Sequence, residues 1–224
     1  MKDYSLSSGE RYSTLDLNCI GYDHLLRYNY VIKREKEREA GAKTHQLFGA
    51  DIFCGSGYGA AMIADDLDVF MLAIDGSAEA VQVAEEKVMR PNIIYAGKLF
   101  PFDLPESKFD FIASMESLEH VRDFEVFFST LVHSLKDGGR LYLSVPNENI
   151  MPYQGYVWHF KHFKPEHLRA LAAKHEMKEV YAASTACHLI HEGSLKNYFI
   201  YPVKKDGFLP LDVGDTMFFE FTKE

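Results

Sequence analysis

Cysteine, long apolar runs and positive charge are all scarce in this chain, and each shortage excludes something. Cys19, Cys54 and Cys187 are three in 224 residues, an odd number without metal spacing. They are expected to be free thiols in a reducing compartment, which points to the cytoplasm. No run approaches the ~20 apolar residues of a membrane span, and Met1–Ser13 is polar where a signal peptide needs an apolar core. The 24 Lys and Arg face 33 Asp and Glu, for a net charge of −9. That balance argues against a nucleic-acid substrate, because phosphate contacts need a basic face. Repeats, low-complexity tracts and signs of a second globular unit are also missing. A hydrophobic fraction of 47% suits one globular domain with a full core.

What is present is a glycine turn. Ala50–Ala60 reads ADIFCGSGYGA, a strand (46–53) running into Gly55, Ser56, Gly57, Tyr58 and Gly59 and then into a helix. Glycine lets a ligand approach the backbone where no Cβ intervenes and where φ can be positive. The helix start then aims N–H groups at the turn. Gly55, Gly57 and Ala60 also fit the dinucleotide pattern G-x-G-x-x-G/A, so an NAD enzyme is one reading. Asp51, just before the turn, suits a ligand with a cationic amine and would repel a pyrophosphate. A second apolar strand (70–74) ends in Asp75, whose carboxylate can accept both hydroxyls of a ribose.

Strand and helix patterns then alternate, which predicts an α/β fold: a Rossmann-like, doubly wound, mostly parallel sheet with an antiparallel C-terminal strand and an N-terminal helical lid. Helices are expected over 22–40, 78–88, 124–135 and from Pro165 to about 175. Strands are expected over 92–95, 109–115, 140–145, 177–184, 195–201 and 216–222, the last two as an antiparallel pair. Residues 1–45 form the lid segment and 46–224 the ligand-binding domain.

The chain at this point resembles the class I S-adenosylmethionine-dependent methyltransferases. KFDFIASMESLEHV (108–121) matches their fourth strand and the segment after it. LKDGGRLYLSVP (135–146) matches a helix end, Gly-Gly turn and fifth strand. His159, Phe163 and Leu168 resemble a helix start common in small-molecule members. Residues 8–31 are similar to the lid of a subgroup tied to polysaccharide and natural-product methylation, and the ubiquinone-biosynthesis O-methyltransferases share much of the layout. The resemblance implies S-adenosyl-L-methionine as cofactor. Gly55 and Gly57, with Cys54 and Ser56 in the same turn, would meet its methionine part, with Asp51 near the amine. Asp75 would hold the ribose, Lys98 and Leu99 the adenine, and Met115 would pass the sulfonium. Arg27 on the lid helix would pair with the carboxylate. Two residues depart from the pattern: Phe53 stands where glycine or alanine is usual, and Lys98 cannot accept a hydrogen bond from adenine.

Methyl transfer to an O–H or N–H also needs a proton acceptor, and histidine titrates in the right range. His120, past the fourth strand, and His162, past the fifth, are the candidates. Glu116, Glu119 and His120 would share one face if a helix began there. With His162 they resemble the E-x-x-E-H cation site of small-RNA 2′-O-methyltransferases, which implies a divalent ion such as magnesium. The alternative for Glu119 and His120 is structural hydrogen bonding beneath the site. Tyr12, Tyr22, Tyr28, Tyr153, Tyr156, Trp158 and Phe160 fall in the two segments expected to close over an acceptor. The sequence thus reads as a methyltransferase acting on a hydroxyl or amine of a small metabolite or glycan precursor. A metal-assisted RNA 2′-O-methyltransferase and a cofactor-binding pseudo-enzyme stay open beside it. Oligomeric state does not follow.

Overall fold

The structure, a computed structural model, describes residues 15–41, 46–185, 189–191, 194–196 and 207–224. A 3-10 turn at Leu17–Cys19 leads into α1 (Tyr22–Gly41). Then come β1 (Leu47–Ile52), α2 (Tyr58–Asp66), β2 (Val69–Asp75), α3 (Ala78–Lys87), β3 (Ile93–Gly97) and β4 (Phe109–Met115). A 3-10 turn at Leu118–His120 precedes α4 (Phe124–Ser134), β5 (Leu135–Pro146), α5 (Pro165–Lys174), β6 (Met177–Thr185), β7 (Leu189–His191), β8 (Ser194–Lys196) and β9 (Thr216–Lys223).

Seven strands form one sheet in the order β3-β2-β1-β4-β5-β9-β6. The first five are parallel, and β9 runs antiparallel to both β5 and β6. Strand side chains alternate between faces. In β4, Phe111 and Ala113 join a core with α1, α2 and α3, while Ile112 joins one with α4 and α5, as does Phe109 on the other side of a register shift. Both faces are therefore covered, as the near-continuous apolar run of a parallel strand requires. The strand order reverses between β1 and β4, which opens a crevice at their carboxyl ends. Among the described residues no helix is long and apolar enough to cross a membrane.

Three expectations change. β5 starts at Leu135, five residues before the expected 140, because Leu135 already pairs with Phe109 across a register shift. Residues 195–196 belong to β8, which pairs with β7 in a separate two-stranded ribbon; residues 197–201 lie outside the described residues. The partners of β9 are β5 and β6, since its phenylalanines fill both cores. The boundary drawn at residue 45 and Tyr12 also lie outside the described residues.

Helix α1 is packed into the body. Tyr28, Val31 and Ile32 are buried in the α2–β1–β2 core, and the Tyr28 ring lies directly over Gly59. A Cβ at Gly59 would sit 2.1 Å from Tyr28 Cζ. Gly59→Ala should therefore cost about 1–3 kcal/mol through overpacking, outweighing alanine's better helix propensity. Urea unfolding checks this, and in a Tyr28→Ala background the same substitution should turn neutral or stabilising.

Candidate active site

A cleft of about 660 Å³ opens at the carboxyl ends of β1, β2, β4 and β5. Its first wall is the glycine turn, where the two glycines are needed for different reasons. Gly55 has φ +56 and open space where a Cβ would stand, so its backbone faces the cleft. Gly57 has φ +82 as the left-handed N-cap of α2. A Cβ on it would lie 2.7 Å from the Tyr95 ring, so its smallness serves packing beneath the turn rather than the cleft wall. Phe53 also takes a positive φ, +66, and its ring meets Phe127 edge-on at 5.4 Å, on the α4 side of the sheet. Cys54 and Ser56 line the cleft. Ser56 Oγ is buried there without a hydrogen-bond partner among the described residues.

Asp75 ties this wall together. One carboxylate oxygen accepts the Gly55 N–H at 2.8 Å and the other the Ser77 N–H at 2.9 Å. The residue lies on the cleft wall. Leu99 is beside it, over Gly76, and Met115 closes the floor. Lys98 is exposed and off the wall; its backbone N–H holds the Asp75 carbonyl at 2.9 Å. Beyond Asp75 the cleft is lined by Leu99, Phe100 and Pro101.

Asp51 and Arg27 are both pulled away from the wall by helix α1. Asp51 is fully buried and accepts from the Tyr28 hydroxyl at 3.2 Å and 3.3 Å. Burial pushes its carboxyl up from 3.8 to about 7, against the pull of the Tyr28 hydrogen bond, with Asp75 adding to the rise. Next to this pair, His24 Nδ1 meets the Tyr58 hydroxyl at 3.1 Å. Burial, and then the Arg27 charge, push that imidazole down to about 3. Arg27 is fully buried and spends its guanidinium on Asp23 at 3.2 Å, Thr185 Oγ1 at 3.3 Å and Glu116 at 3.5 Å. These partners lie within the fold, and Arg27 itself is off the cleft wall.

The four-residue cation set does not assemble. The helix it required is only the 3-10 turn Leu118–His120, and Glu116, at φ +48, lies outside it. Glu116 turns instead to Arg27 and to Ser144 Oγ, which donates to it at 2.7 Å. Burial raises its carboxyl while Arg27 opposes the rise. His162 is buried off the wall, with Nδ1 on the Met151 carbonyl at 2.6 Å and Nε2 on His159 Nδ1 at 2.7 Å. It is His159 that reaches the cleft. Glu119, His120 and His159 bring one donor atom each within 4.8 Å of one another.

Trp158, Phe160 and Met151 from the β5–α5 segment line the cleft, as do Tyr28 and Tyr58. Asp23 and Asp215 also reach the wall. The sequence reading missed both, because no local pattern marks an acid on a packed helix or one just before a C-terminal strand. His159 did carry a signal, its three-residue spacing from His162, but spacing in a loop does not say which of two imidazoles faces out.

Residues 50–143 match a family described as a methyltransferase domain. The chain is 29% identical over 130 residues to phosphoethanolamine N-methyltransferase 2 of Caenorhabditis elegans, which covers 56% of this chain and 28% of the relative. It is 30% identical over 132 residues to the ubiquinone biosynthesis O-methyltransferase of Xylella fastidiosa, covering 57% of this chain and 50% of the relative. The chain spans half or less of the length of the curated relatives it matches. Among solved structures, an S-adenosylmethionine-dependent methyltransferase from Mesorhizobium loti superposes with a TM-score of 0.62 at 15% identity, covering 88% of this chain and 100% of that one. The resemblance to class I S-adenosylmethionine-dependent methyltransferases and the Rossmann-like sheet are borne out together.

Proposed function

We propose that this chain, whose residues 50–143 carry a methyltransferase domain, transfers a methyl group from S-adenosyl-L-methionine to a hydroxyl or amine of a small acceptor. The observation that carries this reading is the Gly55–Asp75 corner of the cleft. An open glycine backbone, the Asp75 carboxylate on the cleft wall and the buried Ser56 hydroxyl meet there. That donor and acceptor set fits the ribose and amino-acid ends of the cofactor. When bound, S-adenosylmethionine supplies a methyl already activated on a sulfonium. The chain's own part is to position the acceptor, exclude water and remove a proton. Trp158 and Phe160 line the cleft and would wall off water over the acceptor, and His120 and His159, on the same wall, are the candidate proton acceptors.

The two relatives differ in the atom their names specify, nitrogen in one and oxygen in the other, so both acceptor types belong to the proposal. Residues 1–45 are taken as the lid and 46–224 as the binding domain. An RNA acceptor is disfavoured by the net charge of −9.

Thermal unfolding with S-adenosylhomocysteine, with NAD⁺ as control, tests the cofactor. At a hundredfold over Kd a ligand adds about 2.7 kcal/mol, which for a chain of this length raises the midpoint by roughly 5–10 °C. A rise with S-adenosylhomocysteine alone is expected. A rise with NAD⁺ alone would move the chain to the dinucleotide enzymes, and a rise without turnover on any acceptor would leave a binding domain.

A further inference from the structure

We propose that the small acceptor carries an anionic group, a carboxylate or a phosphate, and that Arg122 on the cleft wall binds it. What is done to the acceptor rests on the methyltransferase reading above; the anion site does not. Among the described residues that line the cleft, Arg122 is the one Lys or Arg. Against it stand the carboxyl groups of Asp23, Asp75, Glu116, Glu119, Asp123 and Asp215. The acidic part of the wall suits S-adenosylmethionine, whose sulfonium and amine are both positive. An anionic group is repelled along that part and attracted at Arg122, which gives the acceptor one orientation.

The Arg122 guanidinium is positioned but not committed. It lies over the Phe160 ring, with Cζ 4.8 Å from the centroid. That contact draws on the charge and the ring face and consumes no N–H. The side chain makes no hydrogen bond or ion pair among the described residues. Its donors therefore keep the planar fork that matches a carboxylate or phosphate. The other described arginines differ: Arg27, Arg34, Arg38, Arg90, Arg140 and Arg169 each pair with a carboxylate.

The ring beneath Arg122 is held by the main chain. The Phe160 N–H donates to the Glu119 carbonyl at 2.7 Å, and the Trp158 carbonyl lies 3.0 Å from His120 Nδ1. These contacts strap residues 158–160 to the 3-10 turn at Leu118–His120, two residues before Arg122. Phe160 is 41% exposed and shares the wall with Trp158, so an apolar body next to the anion has two rings to lie against. The acceptor that fits is a small organic anion with an apolar face. Its charged end sits at Arg122, and its reacting hydroxyl or amine turns into the cleft. A polyanion would meet the carboxyls along the rest of the wall.

Trp158 is the single tryptophan of the chain, so its fluorescence reads the site. The full chain, saturated with S-adenosylhomocysteine, is titrated with phenyl phosphate and benzoate and with uncharged benzyl alcohol and benzamide. The anions should bind about 10–100-fold tighter than the uncharged probes, and the difference should shrink as salt is raised. The tighter of the two anions identifies the class. Arg122→Gln should erase the preference, and Arg122→Lys, which keeps the charge but not the fork, should keep part of it. The side chain is exposed, so thermal midpoint and S-adenosylhomocysteine affinity should stay unchanged in both variants. On an acceptor that is turned over, Arg122→Gln should raise KM by about 10–100-fold with kcat little changed. Equal affinity for charged and uncharged probes would overturn the proposal. So would the lack of a saturable response to either anion, an anion preference that survives Arg122→Gln, or an uncharged acceptor methylated equally well by that variant. Should S-adenosylhomocysteine not bind, the function proposed above falls, while the same titrations of the unliganded chain still decide the anion site.

Discussion

The stability of this protein should fall as pH rises from about 4 to 7, and Asp51→Asn should remove most of that fall. Asp51 is buried on β1 beneath α1, with its carboxyl raised from 3.8 to about 7. A carboxyl whose folded value lies above its unfolded value favours the fold while protonated. That contribution is complete below the unfolded value and is lost as pH climbs through the folded one. For Asp51 the window is pH 4 to 7, and the loss amounts to about 4 kcal/mol at most. Other groups titrate in the same range, so the measurement is a difference: urea unfolding of the unsubstituted chain and of Asp51→Asn at pH 4, 5.5, 7 and 8. The gap between the two should shift by a few kcal/mol in favour of the asparagine variant as pH rises. Tyr28→Phe removes the hydroxyl that holds the carboxylate, so it should extend the loss to higher pH. A gap independent of pH would mean that Asp51 titrates as an ordinary solvated carboxyl. It would also mean that α1 is not seated on β1.

Asp75→Ala should weaken S-adenosylhomocysteine binding by more than a hundredfold. The carboxylate does two things at once. It accepts the Gly55 and Ser77 N–H groups, which sets the glycine turn against the first residues of α3. On the proposed reading it also accepts hydrogen bonds from the ribose hydroxyls. Hydrogen bonds to a charged group contribute about 1.5–3 kcal/mol each, so two lost at the ligand exceed a hundredfold in Kd. The two orphaned backbone donors cost about 1–3 kcal/mol of stability each where water cannot reach them. Asp75→Asn keeps one carbonyl acceptor and should fall between the two. Calorimetric titration reads the affinity, and urea unfolding of the same variants reads the fold. Affinity within a few fold of the unsubstituted chain for Asp75→Ala would sink the assignment of the ribose to this corner.

Local chemistry made much of this protein legible from its residues. Strand β4 was expected at Phe109–Met115 and is found there. Its apolar residues serve two covered faces, so the whole segment must be buried. The turn at Gly55–Gly57 and the acid ending β2 are equally local, since a positive φ and a strand tip are fixed by their immediate neighbours. From these the sheet, its switch point and the ligand-binding edge follow.

The direction in which each functional side chain points was decided by tertiary structure alone. Arg27, Asp51 and Gly57 were assigned to the ligand, and the structure places all three off the cleft wall: Arg27 against Asp23 and Glu116, Asp51 against Tyr28, Gly57 beneath Tyr95. Asp23 is tied to Arg27 by helical i,i+4 spacing, but Glu116, Thr185, Tyr28 and Tyr95 stand at no spacing that marks them as partners. A buried charge must find its counter-charge or hydrogen bond wherever the fold brings one. Glu116 left its expected neighbours for the same reason. His159 lines the cleft and His162 does not, one nitrogen of His162 being held by a backbone carbonyl 11 residues upstream. Sequence determines which groups are available in such a loop; the hydrogen bonds made on folding determine which of them reaches the cleft.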